Sequence, residues 1–289
     1  MTMPDFDNGI IQLYLADARS LPIPDNSVDC VVTSPPYWGL RDYSTEGQLG
    51  LEETPEEWVT NLVAVFREVW RVLKPTGTLW MNLGDSYSDK QLTGQPWKVA
   101  FALQDDGWYL RSDIIWSKPN PMPESARDRP TKAHEYVFLL TKSPRYYYDA
   151  DAIRERHADW ERGAHGERVG SGDDERPQPG VRTGTFNADR HGADRAYNPS
   201  GRNKRTVWEI PTQPYPEAHF ATYPEKLVEP CILAGCPQDG VVLDPFVGSG
   251  TTLAVAQRLG RRGIGTDISK EYLQLAEKRI CDIPLPMML

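Results

Sequence analysis

Two adjacent prolines, Pro35 and Pro36, stand two residues beyond the apolar run Val28-Asp29-Cys30-Val31-Val32, and they limit what the chain can do next. The run reads as a buried strand. Proline offers no backbone N–H and holds the residue before it extended, so neither a continued ladder nor an immediate helix can follow. The chain must stop and turn at Ser34. Such a turn at a strand's carboxyl end presents the Ser34 hydroxyl, the Pro35 carbonyl and two aromatic faces, Tyr37 and Trp38. That set suits a flat, polar-edged ligand such as a nucleobase. An ordinary Pro-Pro turn capped by surface aromatics is the plainer reading, and a second motif shifts the balance between them.

That motif is Val241-Val-Leu-Asp244-Pro-Phe246-Val-Gly248-Ser249-Gly250-Thr251-Thr252. It reads as strand, glycine-rich turn and helix, the layout that brings backbone N–H groups close to a cofactor. The next strand, Arg262 to Thr266, ends in Asp267, where an acidic side chain can grip ribose hydroxyls. A nicotinamide dinucleotide is the obvious guess. Yet the third glycine of the dinucleotide pattern falls on Leu253, so close packing over a pyrophosphate is not specified. An adenosine-containing cofactor without pyrophosphate fits better.

Together the two motifs resemble the S-adenosylmethionine-dependent amino-methyltransferases of DNA, which modify N4 of cytosine or N6 of adenine. The Ser-Pro-Pro-Tyr segment precedes the Asp-Pro-Phe-x-Gly-Ser-Gly segment, the order of the circularly permuted beta group of that family. The resemblance covers nearly the whole chain except roughly Ile153 to Arg205. It implies a class I methyltransferase fold, base flipping out of duplex DNA and direct in-line transfer with no metal. Ser34, Pro35, Pro36 and Tyr37 would be catalytic. Asp17, Phe220, Thr222, Asp244, Phe246, Gly248, Ser249, Gly250, Thr251 and Asp267 would hold the cofactor. Asp17 reads equally as a capping carboxylate for the following turn. Thr222 with Glu225 also forms a Thr-x-x-Glu capping box, so part of that match is a helix start.

Length and periodicity give the frame. A chain of 289 residues can bury a full α/β core. Seven strands begin at Ile11, Val28, Thr78, Leu110, Glu135, Val241 and Arg262, and their alternation with helices predicts a doubly wound, mostly parallel seven-stranded sheet. The strongest helix signal is Pro55 to Lys74. Thr54 can cap it, and Trp58, Leu62, Val65, Val69 and Val72 share one face. The resemblance implies a catalytic half over residues 1–150, an inserted target-recognition region over 151–206 and a cofactor half over 207–289. The permutation predicts that the last helix, Glu271 to Ile280, returns toward the Ile11 strand and brings the termini together.

The formal net charge of −9 argues against nonspecific adhesion to nucleic acid. Contact with DNA must come from local patches. The stiff loop from Ser117 to His134 carries Lys118, Asn120, Arg127, Arg129, Lys132 and His134. In the resembling family a Trp-x-Lys-Pro-Asn stretch and a His-Glu-Tyr stretch lie by the flipped-base pocket. Here they are Trp116 to Asn120 and His134-Glu135-Tyr136, while a plain surface loop is the competing reading. Trp38, Lys118, Asn120, Arg127, Arg129, His134, Arg182 and Arg202 are the DNA-facing candidates. The 151–206 segment has ten Arg and one Lys against ten Asp or Glu, leaving about −10 for the rest. Its composition alone reads as a flexible solvated segment, although arginine forks can read guanine edges.

Four cysteines without Cys-x-x-Cys spacing or histidine partners indicate neither zinc nor a disulfide framework. Cys231, although it follows a proline, lies in an apolar helical run and reads as structural. With no apolar run of membrane-spanning length and a polar amino terminus, the sequence reads as a cytoplasmic protein of prokaryotic or phage-like type, used at the nucleoid. Its expected partner is double-stranded DNA, with a cognate restriction endonuclease and a homodimer left open. Serine before Pro-Pro resembles the cytosine-N4 enzymes, and adenine N6 is the runner-up. An RNA-directed or noncatalytic nucleic-acid binder is the alternative of another class.

Overall fold

In the computed structural model, the residues described are 2–40, 42, 45–156, 201–213 and 222–284. The strands and helices in chain order are β1 (Phe6–Asp7), β2 (Ile11–Leu15), β3 (Val28–Thr33), α1 (Pro55–Val72), β4 (Leu73–Leu83), β5 (Tyr87–Ser88), β6 (Gln91–Leu92) and α2 (Gln95–Asp105). They continue with β7 (Tyr109–Ser117), β8 (His134–Thr141), β9 (Val207–Glu209), α3 (Glu225–Gly235), β10 (Val241–Asp244), α4 (Thr251–Arg258), β11 (Arg262–Asp267) and α5 (Lys270–Cys281). The chain forms two compact units, one of residues Met1–Ile153 with Arg205–Leu289, the other Arg154–Lys204.

All seven expected strands are present, and they lie in a larger sheet of order β1-β2-β11-β10-β3-β4-β8-β7-β9. The count of seven is therefore corrected to nine among the described residues. The two additions are strands of two and three residues, β1 and β9, too short to show a period. The five central strands β2, β11, β10, β3 and β4 are mutually parallel. Beyond them β8 and β7 form an antiparallel pair, with β9 covering the outer side of β7. The helix α1 and the strand β4 meet at Val72 and Leu73, so Lys74, expected as the last residue of the helix, already belongs to the strand.

Each central strand feeds two layers. Val28 and Val31 of β3, with Leu79 and Met81 of β4, pack under α1 and α2 against Leu62, Phe66, Val69 and Leu103. The alternate residues Cys30, Val32 and Trp80 pack under α3 and α4 with Ile232 and Val255. Helix α1 starts as its sequence dictates, with Thr54 Oγ1 accepting from the Glu57 N–H at 3.2 Å and Pro55 in the first turn. The Thr222 capping box does not form. The helix α3 starts two residues later, with Pro224 as a cap whose side chain has no acceptor to offer, and Glu225 pairs with Arg258 and Arg279. Cys231 is buried inside α3, as read.

Leu253, where a dinucleotide fold would place its third glycine, is accommodated by the sheet below it. A Cβ on Gly263 or Gly265 of β11 would approach Leu253 to 2.9 and 2.7 Å. The glycines that let α4 sit close to the sheet are therefore on the strand instead of the helix.

The permuted closure is also present. Helix α5 shares a core cluster with β2 through Leu273, Ala276, Ile280, Ile11 and Leu13. The fully buried Gln257 of α4 links the two ends of the described chain. Its Oε1 accepts from Asn8 Nδ2 at 3.1 Å, and its Nε2 donates to the carbonyls of Ile280 and Ile283 at 3.2 and 2.9 Å. Gln257→Leu leaves those partners without it, and we expect roughly 1–3 kcal/mol of lost stability by urea denaturation.

Candidate functional site

The sheet winds outward in both directions from the junction of β3 and β10, so the carboxyl ends of these two strands open at the reversal point. A buried knot joins them. Thr33 Oγ1, at the end of β3, donates to Asp244 Oδ1 at 2.7 Å across the junction. The same carboxylate accepts from Thr252 Oγ1 of α4 at 2.8 Å, the Tyr223 hydroxyl at 3.0 Å and the Phe246 N–H at 3.1 Å. Burial pushes the Asp244 carboxyl upward in pKa, and these four donors pull against that shift. With two bonds on each oxygen, the side chain has no acceptor position left for a ligand. The expectation that Asp244 grips the cofactor is corrected on this ground: it fixes the strand ends relative to α4 and to the segment entering α3.

The glycine turn rises from this knot. Gly248 and Gly250 have φ of +48° and +81°, which L side chains rarely adopt. A Cβ at Gly250 would stand 3.0 Å from the Ala276 Cα, so α5 closes the turn from behind. A Cβ at Gly248 would meet nothing nearer than 3.9 Å, and this side is open. The hydroxyls of Ser249 and Thr251 do not face that opening. Both are buried and accept from Arg279 Nη1 at 3.4 and 2.8 Å, so any grip by these two residues must come from their backbone. Phe246 is half-buried against the core at the same turn.

Asp267 ends β11 beside the turn. Its carboxylate accepts from the N–H groups of Gly248 at 3.0 Å and Ser269 at 2.9 Å, and burial raises its pKa to about 6. The Ile268 N–H also bonds this carboxylate, which leaves one acceptor position for a ligand. Asp17, one strand away, is different. Although burial works against it, the Arg19 side chain and N–H hold this carboxyl below its ordinary range, with the guanidinium as near as 2.6 Å. The capping reading of Asp17 is the one the geometry supports, since Arg19 N–H and Ser20 N–H close the turn onto it. Thr222 stands half-buried next to Tyr223, while Phe220 and Arg182 lie outside the described residues.

On the other side of the junction the Pro-Pro turn is braced at three points. Trp58 Nε1 of α1 donates to the Pro36 carbonyl at 3.0 Å, and Trp38 Nε1 donates to the Glu52 carbonyl at 2.9 Å. That second bond ties Trp38 to the following loop, and its partly buried ring packs against the core. At the third point, the Tyr37 hydroxyl donates to Glu135 Oε2 at 2.9 Å and accepts from Ser34 Oγ at 3.3 Å and Asn82 Nδ2 at 3.0 Å. The Tyr37 ring lies so close to Gly84 that a Cβ there would approach it to 2.8 Å.

Sequence reading missed Asn82 and did not count Glu135 among the site residues. A signal for Asn82 was present, as one amide in the apolar run Leu79-Trp80-Met81-Asn82-Leu83. Arg279 gave none, because its partners are set by tertiary packing.

The cationic loop is largely engaged with its own acids. Lys118 Nζ pairs with Glu135 and lies 4.3 Å from the Trp116 ring centroid, so it does not stand ready for phosphates. Asn120 braces the chain at Thr212, accepting its N–H at 2.9 Å. Arg129 pairs with Glu124 and covers the Tyr87 ring at 3.8 Å, and Lys132 lies 3.7 Å from Asp85. His134 packs edge-on to Tyr136, and burial with neighbouring Lys132 lowers its pKa. Arg127 is exposed. In the smaller unit Arg202 pairs with Glu155 at 3.3 Å. Among the described residues no group of side chains could hold a metal ion, and no helix is long and apolar enough to cross a membrane.

Residues 28–278 match a family model described as DNA methylase, of the N6/N4 methyltransferase type. The chain is 43% identical over 300 residues to the type II methyltransferase M.SmaI of Serratia marcescens, covering 93% of this chain and 90% of that protein. It is 41% identical to M.Cfr9I of Citrobacter freundii, covering 93% and 87%. Among solved structures, the cytosine-N4-specific PvuII DNA methyltransferase shares the fold with a TM-score of 0.71 at 20% identity, over 98% of this chain and 91% of that one. A putative DNA modification methylase from Thermus thermophilus, solved with S-adenosyl-L-methionine, has a TM-score of 0.61 at 27% identity over 94% and 93%.

Removing the buried carboxylate should be severe. Asp244→Ala strips three hydroxyls and one N–H of their acceptor, and we expect a loss of roughly 3–5 kcal/mol in denaturant titration, with Asp244→Asn losing less.

Proposed function

We propose that this chain, which belongs to the N6/N4 DNA methylase family, methylates N4 of cytosine in duplex DNA with S-adenosylmethionine as donor. The observation that carries the choice of base is the neutral hydroxyl of Ser34 heading the Pro-Pro turn, beside the glycine turn at the same sheet reversal. The fold shared with a cytosine-N4-specific enzyme supports the same reading.

The donor's fit is judged from the glycine turn. The open face at Gly248 and the remaining acceptor position of Asp267 suit an adenosine with a free ribose hydroxyl. When bound, S-adenosylmethionine supplies an electrophilic methyl group. The protein's own task lies on the other partner. An exocyclic amino nitrogen is a poor nucleophile because its lone pair is drawn into the ring. Ser34 Oγ and the Pro35 carbonyl accept its two N–H bonds, turning the nitrogen toward tetrahedral geometry and releasing the lone pair. The exposed part of the Tyr37 ring stacks on the base, offsetting an unstacking cost of a few kcal/mol. Target sequence is read by the unit Arg154–Lys204, with Arg127 on nearby phosphates.

The test uses tritiated S-adenosylmethionine and mixed-sequence duplex DNA, followed by digestion to nucleosides. Label in N4-methylcytosine supports the proposal, and label in N6-methyladenine overturns the base while keeping the family. Ser34→Ala should keep the dissociation constant for S-adenosylmethionine and reduce turnover by roughly 10²-fold.

A pH titration tests Asp267. Its folded pKa of about 6 lies above its ordinary value of 3.8, so the folded state binds this proton more tightly than the unfolded state. The free protein therefore gains stability from this group as pH falls from about 6 toward 4. Affinity for S-adenosylmethionine should change the opposite way, falling below pH 6 as the acceptor is protonated. Asp267→Asn should flatten both slopes, by calorimetry and thermal denaturation.

A further inference from the structure

Glu135 sits at the end of a hydrogen-bond chain whose direction is fixed by its partners. Lys118 Nζ is salt-bridged to Oε1, and the carboxylate can only accept. Tyr37 O–H donates to Oε2 at 2.9 Å, and burial beside Glu135 keeps the phenol protonated. With its one hydrogen committed, the Tyr37 oxygen can only accept, and Ser34 O–H donates to it at 3.3 Å. The single hydrogen of Ser34 thus points away from the pocket. The orientation of Asn82 follows the same logic. Its Nδ2 lies 2.8 Å from Glu135 Oε2, and a flipped amide would set oxygen against carboxylate. That leaves Asn82 Oδ1 buried with no donor among the described residues.

We propose that Glu135 is a positioning residue which, through Tyr37, makes Ser34 an obligate hydrogen-bond acceptor, so the pocket admits a base by its amino group and rejects a carbonyl at that position. The proposal rests on the methyltransferase reading and applies to either amino group, cytosine N4 or adenine N6. A carbonyl-bearing base such as thymine or uracil would meet the Ser34 lone pair with oxygen against oxygen.

Glu135→Gln tests the direction of the chain. A glutamine amide can donate to Tyr37, allowing Tyr37 to donate to Ser34 and turning the Ser34 hydrogen toward the base. Turnover should fall roughly 10²-fold while the dissociation constants for S-adenosylmethionine and for duplex DNA stay within about threefold. Tyr37→Phe breaks the same chain without touching the Lys118 pair, and should give a comparable loss. Because both act through one hydroxyl, Glu135→Gln in a Ser34→Ala background should add no more than about twofold. The same loss from Glu135→Gln with and without Ser34 overturns the proposal, as does unchanged turnover in Glu135→Gln or Tyr37→Phe. Wild-type protein that transfers label to no duplex overturns the functional reading itself, a result distinct from active wild type with equally active variants.

Discussion

A buried carboxylate at a strand junction organises this fold. Taking an ionised group out of water is expensive unless its oxygens are filled by donors, and Asp244 is filled by four. Each donor comes from a different stretch: the end of β3, the segment before α3, the glycine turn and the first turn of α4. The charge can be buried only if all four stretches are in register. Once it is, the Pro-Pro turn that follows Thr33 and the glycine turn that follows Asp244 emerge side by side. The closeness of the two reactive motifs is thus a consequence of satisfying one charge. Arg279 extends this bracing, linking Ser249, Thr251 and Glu225 from the last helix.

The acidic balance of the chain bears on the base pocket as well as on DNA. A net charge of −9 provides no long-range pull toward a polyanion. Three cations that might have served as phosphate contacts, Lys118, Arg129 and Lys132, are paired with Glu135, Glu124 and Asp85. Such pairs contribute little stability where solvent reaches them. Their value here is directional. Lys118 lies over Trp116 and fixes Glu135, and the loop that looked like a DNA-binding strip instead supports the wall of the pocket. Under the proposed function, contact with DNA falls to Arg127 and to the arginines of the smaller unit.

The sequence made some parts of this arrangement readable and hid others for physical reasons. Strands β3 and β10 were legible because both faces are buried and their short runs are mostly apolar. Helix α1 was legible because cap, proline and apolar stripe agree. The short strands β1 and β9 were not, since two or three residues carry no period. Ser34 and Tyr37 could be read because the prolines beside them force a turn. The partners that give those residues direction come from β4 and β8, more than forty residues later, and no local pattern announces them. The same limit explains why Asp244, Ser249 and Thr251 were read as ligand contacts. A motif locates a side chain near a ligand, while the direction it faces is set by packing from elsewhere.

Residue 34 and residue 135 are best understood as one coupled choice. With the Glu135 carboxylate, salt-bridged to Lys118, behind Tyr37, a second carboxylate at position 34 would stand within reach of the same phenol. Like charges so placed raise one another's pKa, and one would be protonated or displaced. A serine avoids that conflict. It borrows its direction from Glu135 without adding charge, which leaves an acceptor of modest strength facing the base. An aspartate at position 34 would be compatible only if position 135 gave up its charge or Tyr37 its hydroxyl. The character of the amino-binding group is therefore set by the far wall of the pocket as much as by the Pro-Pro turn itself.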